Sequence, residues 1–193
     1  CEKGDQWVQA LQLFHDMAES RVKRNTITYS AAVSACEKGD QWVQALQLFR
    51  EMVESRVDRN TITYIDTITY NAAVSACEKG EQWVWALQLF HAMGDSRTER
   101  DTITYNAAVS ACEKGDQWVQ ALQLFREMVE SRVDRNTITY SAAVSACEKG
   151  EQWVQALQLF REMKESHVER DTVTYNAAVI ACEKGKQWVQ ALQ

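Results

Sequence analysis

The sequence predicts an all-α fold, an α-solenoid of stacked 35-residue helix-turn-helix repeats, and three observations carry that prediction. A five-residue phrase recurs at a fixed interval, two apolar stripes of helical spacing recur inside each interval, and neither stripe has enough partners within its own interval to be buried. The chain has 193 residues, 46% of them hydrophobic and 25% charged, which is enough apolar surface for a sizeable core and too much for a disordered tail.

The phrase Ala-Cys-Glu-Lys-Gly occurs at Cys36, Cys77, Cys112, Cys147 and Cys182, and Cys1 opens the chain in the same way, so successive cysteines lie 35, 41, 35, 35 and 35 residues apart. Starting each unit at the first threonine of Thr-Ile-Thr-Tyr divides residues 1–193 into a single repeat array. It comprises a partial repeat 1–25, complete repeats 26–60, 67–101, 102–136 and 137–171, and a partial repeat 172–193. Residues 61–66 are an irregular six-residue excess. They read as the first five residues and the last residue of a unit whose middle is absent, and they are expected to bulge or lengthen a first helix.

In repeat 26–60, Tyr29, Ala32, Val33 and Cys36 fall at i, i+3, i+4 and i+7, an apolar stripe on a first helix that stops at Gly39. Trp42, Ala45, Leu46, Phe49 and Met52 repeat that spacing on a second helix, which runs to about Ser55 before Arg-Val-Asp-Arg-Asn breaks the pattern. Neighbouring hairpins must stack to bury both stripes, giving a curved solenoid with a concave face.

The same periodicity limits the chemistry. Each cysteine recurs once per unit at a core position, and the three histidines, His15, His91 and His167, occupy two different repeat positions, so no four-ligand metal set assembles and no metal or cofactor is expected. There is no Gly-rich phosphate loop, no Ser-His-Asp or Cys-His pair outside the repeat and no deaminase signature, so the chain is not read as an enzyme. A net charge of -6 excludes a polybasic arm, and no apolar run approaches the roughly 18 to 20 residues that span a bilayer, so no membrane insertion is expected. No charged-then-apolar leader opens the chain at Cys1, so no cellular address is legible.

The first helix carries a second, mostly polar stripe. In the four complete units it reads Ile27, Ser30, Ser34, Lys38; Ile68, Asn71, Ser75, Lys79; Ile103, Asn106, Ser110, Lys114; and Ile138, Ser141, Ser145, Lys149, with Val173, Asn176 and Lys184 continuing it. Stacked along an array, such residues form a track of apolar wedges, hydrogen-bonding groups and ammonium charges, suited to bases, base edges and phosphates of a single strand. A plain solvated helix face has the same composition. The variation between units is patterned, however. The fifth residue alternates between Ser (Ser30, Ser141) and Asn (Asn71, Asn106), and the last between Asn (Asn60, Asn136) and Asp (Asp101, Asp171).

Thr69-Tyr70-Asn71 near the start of a unit and Ala86-Leu87-Gln88-Leu89-Phe90-His91-Ala92-Met93 in its second helix resemble the pentatricopeptide repeat family, whose units are 35-residue helical hairpins. Tetratricopeptide repeats have a 34-residue period and a different pattern. The chain departs from the family in having Arg59, Arg100, Arg135 and Arg170 where a Pro usually precedes the last residue. The resemblance implies sequence-selective binding of single-stranded RNA, one base per repeat, in RNA metabolism of a mitochondrion or plastid. Carried over, the fifth and last residues select the base: Ser30 with Asn60 adenine, Asn71 with Asp101 uracil, Asn106 with Asn136 a pyrimidine, cytosine before uracil, and Ser141 with Asp171 guanine. Asn176 belongs to the same set. The second residues Ile27, Ile68, Ile103, Ile138 and Val173 would sandwich bases, and Lys38, Lys79, Lys114, Lys149 and Lys184 would lie near phosphate.

Other roles compete with these. The last residue of a unit directly precedes a first helix and is a good N-cap. Repeat 26–60 carries Glu37, Asp40, Glu51, Glu54 and Asp58 against Lys38, Arg50, Arg56 and Arg59, so attraction to RNA requires acids on the second helix and lysines on the track. The acidic balance also suits an α-solenoid scaffold for proteins, or a structural subunit of an organellar ribonucleoprotein complex that reads little sequence.

Overall fold

The computed structural model describes residues 6–54, 63–96 and 98–186, with side chains from residue 67 onward in the second stretch. Among these residues there are ten α-helices and no strands. They are α1 (Gln6–Glu19), α2 (Thr26–Lys38), α3 (Trp42–Glu54), α4 (Thr63–Lys79), α5 (Trp83–Asp95), α6 (Thr102–Lys114), α7 (Trp118–Glu130), α8 (Thr137–Lys149), α9 (Trp153–Glu165) and α10 (Thr172–Lys184).

The chain divides into two compact units, Cys1–Arg100 and Asp101–Gln193. In the first, α2 packs on α1, α3 and α4, and α4 packs on α3 and α5. In the second, α6 packs on α7 and α8, α8 on α7, α9 and α10, and α10 on α9. Each unit is therefore a row of first helices backed by second helices, the hairpin stacking of an all-α solenoid. Second helices stand further apart and meet through long side chains, as Arg50 of α3 does over the Trp85 ring of α5 at 4.4 Å. A groove of about 440 Å³ lies between α7 and α9, lined by Leu122, Phe125, Arg126, Gln155 and Leu159.

Both stripes are buried at the expected spacing: Tyr29, Ala32, Val33 and Cys36 on α2, and Ala45, Leu46, Phe49 and Met52 on α3. Val33, Val74, Val109 and Val144 occupy one position in successive units and are fully enclosed, each stabilising the stack by about 1.5 to 3 kcal/mol. The buried cysteines are free thiols. Burial pushes Cys36 up to about 11 and Cys77, Cys112 and Cys147 up to about 12, so they remain protonated at neutral pH and serve as small apolar groups.

Trp7, Trp42, Trp83, Trp118 and Trp153 differ from the rest of their stripe, being only half-buried. Trp7 lies across Gly39, Trp42 across Gly80, Trp118 across Gly150 and Trp153 across Gly185, so closely that a Cβ on the glycine would overlap the indole. Gly39 has a φ of -90°, so space rather than left-handed backbone calls for glycine here. The left-handed position is the next residue, Asp40, Glu81, Asp116, Glu151 or Lys186, with φ between 54° and 57°.

The arginines standing in the proline position acquire a role of their own. Arg24, Arg100, Arg135 and Arg170 lie over the rings of Phe14, Phe90, Phe125 and Phe160 at 4.1, 4.2, 4.4 and 3.9 Å. Arg24, Arg100 and Arg170 also donate to the backbone carbonyl of the same phenylalanine at 3.2, 3.0 and 2.8 Å. Phe14, Phe125 and Phe160 in turn meet a tyrosine edge of a first helix, Tyr29, Tyr140 and Tyr175, at 5.0, 5.0 and 5.1 Å. Arg59 lies outside the described residues. One element departs from the repeat: α4 has 17 residues where α2, α6, α8 and α10 have 13, because it takes in Thr63–Asp66, the end of the six-residue excess.

Candidate nucleic-acid interface

Four first helices begin directly after an Asn or Asp in extended conformation: Asn25 before α2, Asp101 before α6, Asn136 before α8 and Asp171 before α10. A side-chain oxygen of each accepts the backbone N–H of the third helical residue, Thr28, Thr104, Thr139 or Thr174, at 3.0, 2.9, 3.1 and 2.8 Å. The hydroxyls of Thr28, Thr104 and Thr139 accept back from the cap N–H at 3.0, 3.2 and 3.1 Å. The last residue of a repeat thus caps the next first helix, an interaction worth about 1 kcal/mol. Asn60 lies outside the described residues.

The fifth residues of the complete repeats sit one turn further along. Ser30, Asn71, Asn106 and Ser141 are only 8 to 9% exposed, whereas Asn176 is open to solvent. In the second compact unit the fifth residue bonds to the last residue of its own repeat. Asn106 Nδ2 donates to Asn136 Oδ1 at 3.2 Å, and Ser141 Oγ donates to Asp171 Oδ1 at 3.4 Å. Burial works against the Asp171 carboxylate, but hydrogen bonds from the Thr174 hydroxyl and N–H and from Ser141 outweigh it and hold its pKa below the usual carboxylate value. Asp171 is an acceptor at neutral pH.

Beside these polar pairs stand the second residues, which are apolar and yet exposed: Ile27, Ile68, Ile103, Ile138 and Val173, at 41 to 62%. A cavity of about 760 Å³ opens along α2, where Ser34 and Lys38 meet Lys79 of α4 and Trp7 of α1. The aliphatics, the serine and the lysines all belong to first helices: Ile27, Ser34 and Lys38 to α2, Ile68 and Lys79 to α4, Ile103 to α6, Ile138 to α8 and Val173 to α10.

The lysines are not uncompensated. Lys79 Nζ pairs with Glu37 Oε1 at 2.8 Å and Asp40 Oδ1 at 3.4 Å, Lys149 with Glu113 at 2.8 Å, and Lys184 with Glu148 at 2.6 Å. Lys79 and Lys149 also donate to the carbonyls of Glu37 and Glu113 at 2.9 and 3.0 Å, closing the end of the preceding first helix. Desolvation works against the charge on Lys79 and Lys149, but the carboxylates of Glu37 with Asp40, and of Glu113 with Asp116, exceed it and raise both pKa values. The hydrogen bond to Glu148 raises that of Lys184. The expected segregation of acids onto the second helix is therefore incomplete, since Glu37, Glu113 and Glu148 sit on first helices beside the lysines. Lys38 and Lys114 are exposed on α2 and α6.

Two sets of residues escaped the sequence reading. One is the Glu that precedes each Lys in Ala-Cys-Glu-Lys-Gly, whose signal was its recurrence in every unit. The other is the third-position threonine, whose signal was its place three residues after each cap. Among the described residues no three His, Cys, Asp or Glu side chains are grouped to hold a metal ion, and no helix is long and apolar enough to cross a membrane.

Residues 27–57, 68–97 and 138–168 match the model of the PPR repeat, and residues 100–149 that of the PPR repeat family. Among curated proteins no sequence matches. Solved structures resemble the chain at low identity. The pentatricopeptide repeat protein PPR10 from maize has a TM-score of 0.64 at 21% identity, covering 98% of this chain and 26% of that one. PPR10 in complex with an 18-nt psaJ RNA element gives 0.69 at 18%, covering 93% and 26%. The PPR domain of Arabidopsis thaliana protein-only RNase P 1 in complex with tRNA gives 0.76 at 15%, covering 96% and 92%. These likenesses are of fold, and this chain spans about a quarter of the length of PPR10.

Proposed function

The chain belongs to the pentatricopeptide repeat family, and from that premise we propose that it binds single-stranded RNA along the first-helix side of its repeats, one base per repeat, as a binding protein in organellar RNA metabolism. The observation that carries the reading is the bonding of fifth to last residues, Asn106 to Asn136 and Ser141 to Asp171, beside exposed Ile103 and Ile138.

These pairs differ in what they leave for a base. Asn136 Oδ1 already accepts from Thr139 N–H and Asn106, so its Nδ2 remains to donate. A donor suits the bare ring nitrogen of cytosine or adenine. Asp171 Oδ1 already accepts from Thr174 and Ser141, so its second oxygen remains to accept. An acceptor suits the ring N–H of guanine or uracil. A small serine at position 141 leaves room for a purine, and the longer Asn106 favours a pyrimidine. Phosphate at Lys149 or Lys184 would share the ammonium with a glutamate, which favours modest affinity and weak salt dependence.

The test is binding of the purified chain to a randomised single-stranded RNA pool, with single-stranded DNA and duplex controls, at two salt concentrations. Enrichment of purine at serine repeats and pyrimidine at asparagine repeats is the expected result. Equal binding of all pools at both salts would overturn the reading in favour of a protein scaffold.

A further inference from the structure

The third-position threonines bond to the reading pairs in two different ways. Thr139 Oγ1 accepts the N–H of Asn136 at 3.1 Å, so it has one hydrogen left to donate. The nearest acceptor for that hydrogen is Asn106 Oδ1, at 2.5 Å, with Asn136 Oδ1 further off at 3.1 Å. Thr139 is fully buried and Asn106 nearly so, which gives the bond little competition from water. At the next repeat the hydroxyl of Thr174 instead donates to Asp171 Oδ1 at 2.5 Å, and Ser141 reaches Asp171 without bonding to Thr174.

We propose that Thr139 is a positioning residue that holds the Asn106 amide across the gap between α6 and α8 and so sets the preference of that repeat for a pyrimidine. The inference rests on the RNA-reading function proposed above. With Oδ1 tied to Thr139 and one Nδ2 hydrogen given to Asn136, Asn106 has one remaining hydrogen at a fixed place. That hydrogen meets the O2 acceptor of a pyrimidine, and a larger purine fits only if the amide withdraws. Thr174 has no such effect, because its hydroxyl holds the last residue and not the fifth. The choice between cytosine and uracil is set separately, by Asn136, whose orientation is fixed by the backbone N–H of Thr139 rather than by its hydroxyl.

The experiment uses the full chain with single-stranded RNAs of core A-U-X-G, in both strand polarities, where X is each of the four bases opposite the Asn106 repeat. The wild type is expected to favour pyrimidine over purine at X by about ten-fold, within the range of a well-placed side-chain to base contact. Thr139→Val keeps the shape and removes the hydroxyl, and the ratio should fall to about two-fold or less while cytosine stays ahead of uracil. Thr139→Ser should keep the wild-type ratio. Thr174→Val removes a hydroxyl from an equivalent cap and should leave the ratio at X unchanged. An unchanged ratio in Thr139→Val, or a parallel loss for all four bases in both valine variants, would overturn the proposal and leave Thr139 a cap alone. A wild type without base preference would instead fail the RNA reading itself, and the proposal with it.

Discussion

Asp66 in α4 and Asp101 before α6 both open the phrase Asp-Thr-Ile-Thr-Tyr, and Asp171 before α10 opens the near-identical Asp-Thr-Val-Thr-Tyr, but only Asp101 and Asp171 end a loop and cap a helix. In α4 the helix already runs through Asp66 from Thr63. What precedes the phrase differs. Arg100 and Arg170 stand before the capping aspartates and are fastened to Phe90 and Phe160, whereas Ile65 stands before Asp66. A good N-cap residue therefore does not by itself begin a helix in this chain. At α6 and α10 the arginine before the cap is fastened to a phenylalanine and the chain arrives extended, whereas at α4 an isoleucine precedes the aspartate and the backbone there is already helical.

Substitutions test how far the two compact units and their helix starts are alike. The largest effect is expected at a contact that both compact units share. Gly80→Ala and Gly150→Ala each drive a Cβ into an indole, of Trp42 and Trp118 respectively, and should each cost about 3 kcal/mol by chemical denaturation. Combining Gly150→Ala with Trp118→Ala should recover part of that cost, which a double-mutant cycle reads directly. A loss confined to one of the two glycines would show that the units are not built alike.

A smaller difference should separate the caps. Asn136→Ala and Asp171→Ala remove a helix start and should each cost about 1 kcal/mol, while Asp66→Ala should cost a few tenths at most because α4 has no start there. Equal costs would end the contrast drawn between α4 and the regular first helices.

Asp171 also predicts a pH dependence. Its folded pKa lies below its unfolded value, so its contribution is present above the unfolded carboxylate pKa and is lost as pH falls through the folded one. Stability should drop on acidification below about pH 4, and Asp171→Asn should flatten that part of the profile.

One substitution should bring a gain. Asp116→Gly relieves a non-glycine residue at a φ of 56° and should stabilise the second unit by about 0.5 kcal/mol in thermal melts.

Helical spacing made the hairpin legible, and the stripe of Tyr29, Ala32, Val33 and Cys36 is buried as its period requires. Trp42 has the same period but lies half-exposed on Gly80, because periodicity reports which side of a helix is apolar and not how the next repeat meets its end. Gly39 marks the helix end in sequence, yet its reason is the indole of Trp7 rather than its own dihedral angles. The lysine row was visible, but its glutamate partners were not, since Lys79 and Glu37 are 42 residues apart and meet only through stacking. Thr139 was hidden for the same reason: its bond to Asn106 crosses from one repeat to the next.

On the proposed reading, the group that the last residue leaves outward selects the base of its repeat. Asn136→Asp changes that group from donor to acceptor while keeping a cap. Measured against RNAs differing only at the base opposite Asn106 and Asn136, the wild type should prefer cytosine and the variant uracil, with preferences at the other repeats unchanged. Retention of the cytosine preference in the variant would contradict the account.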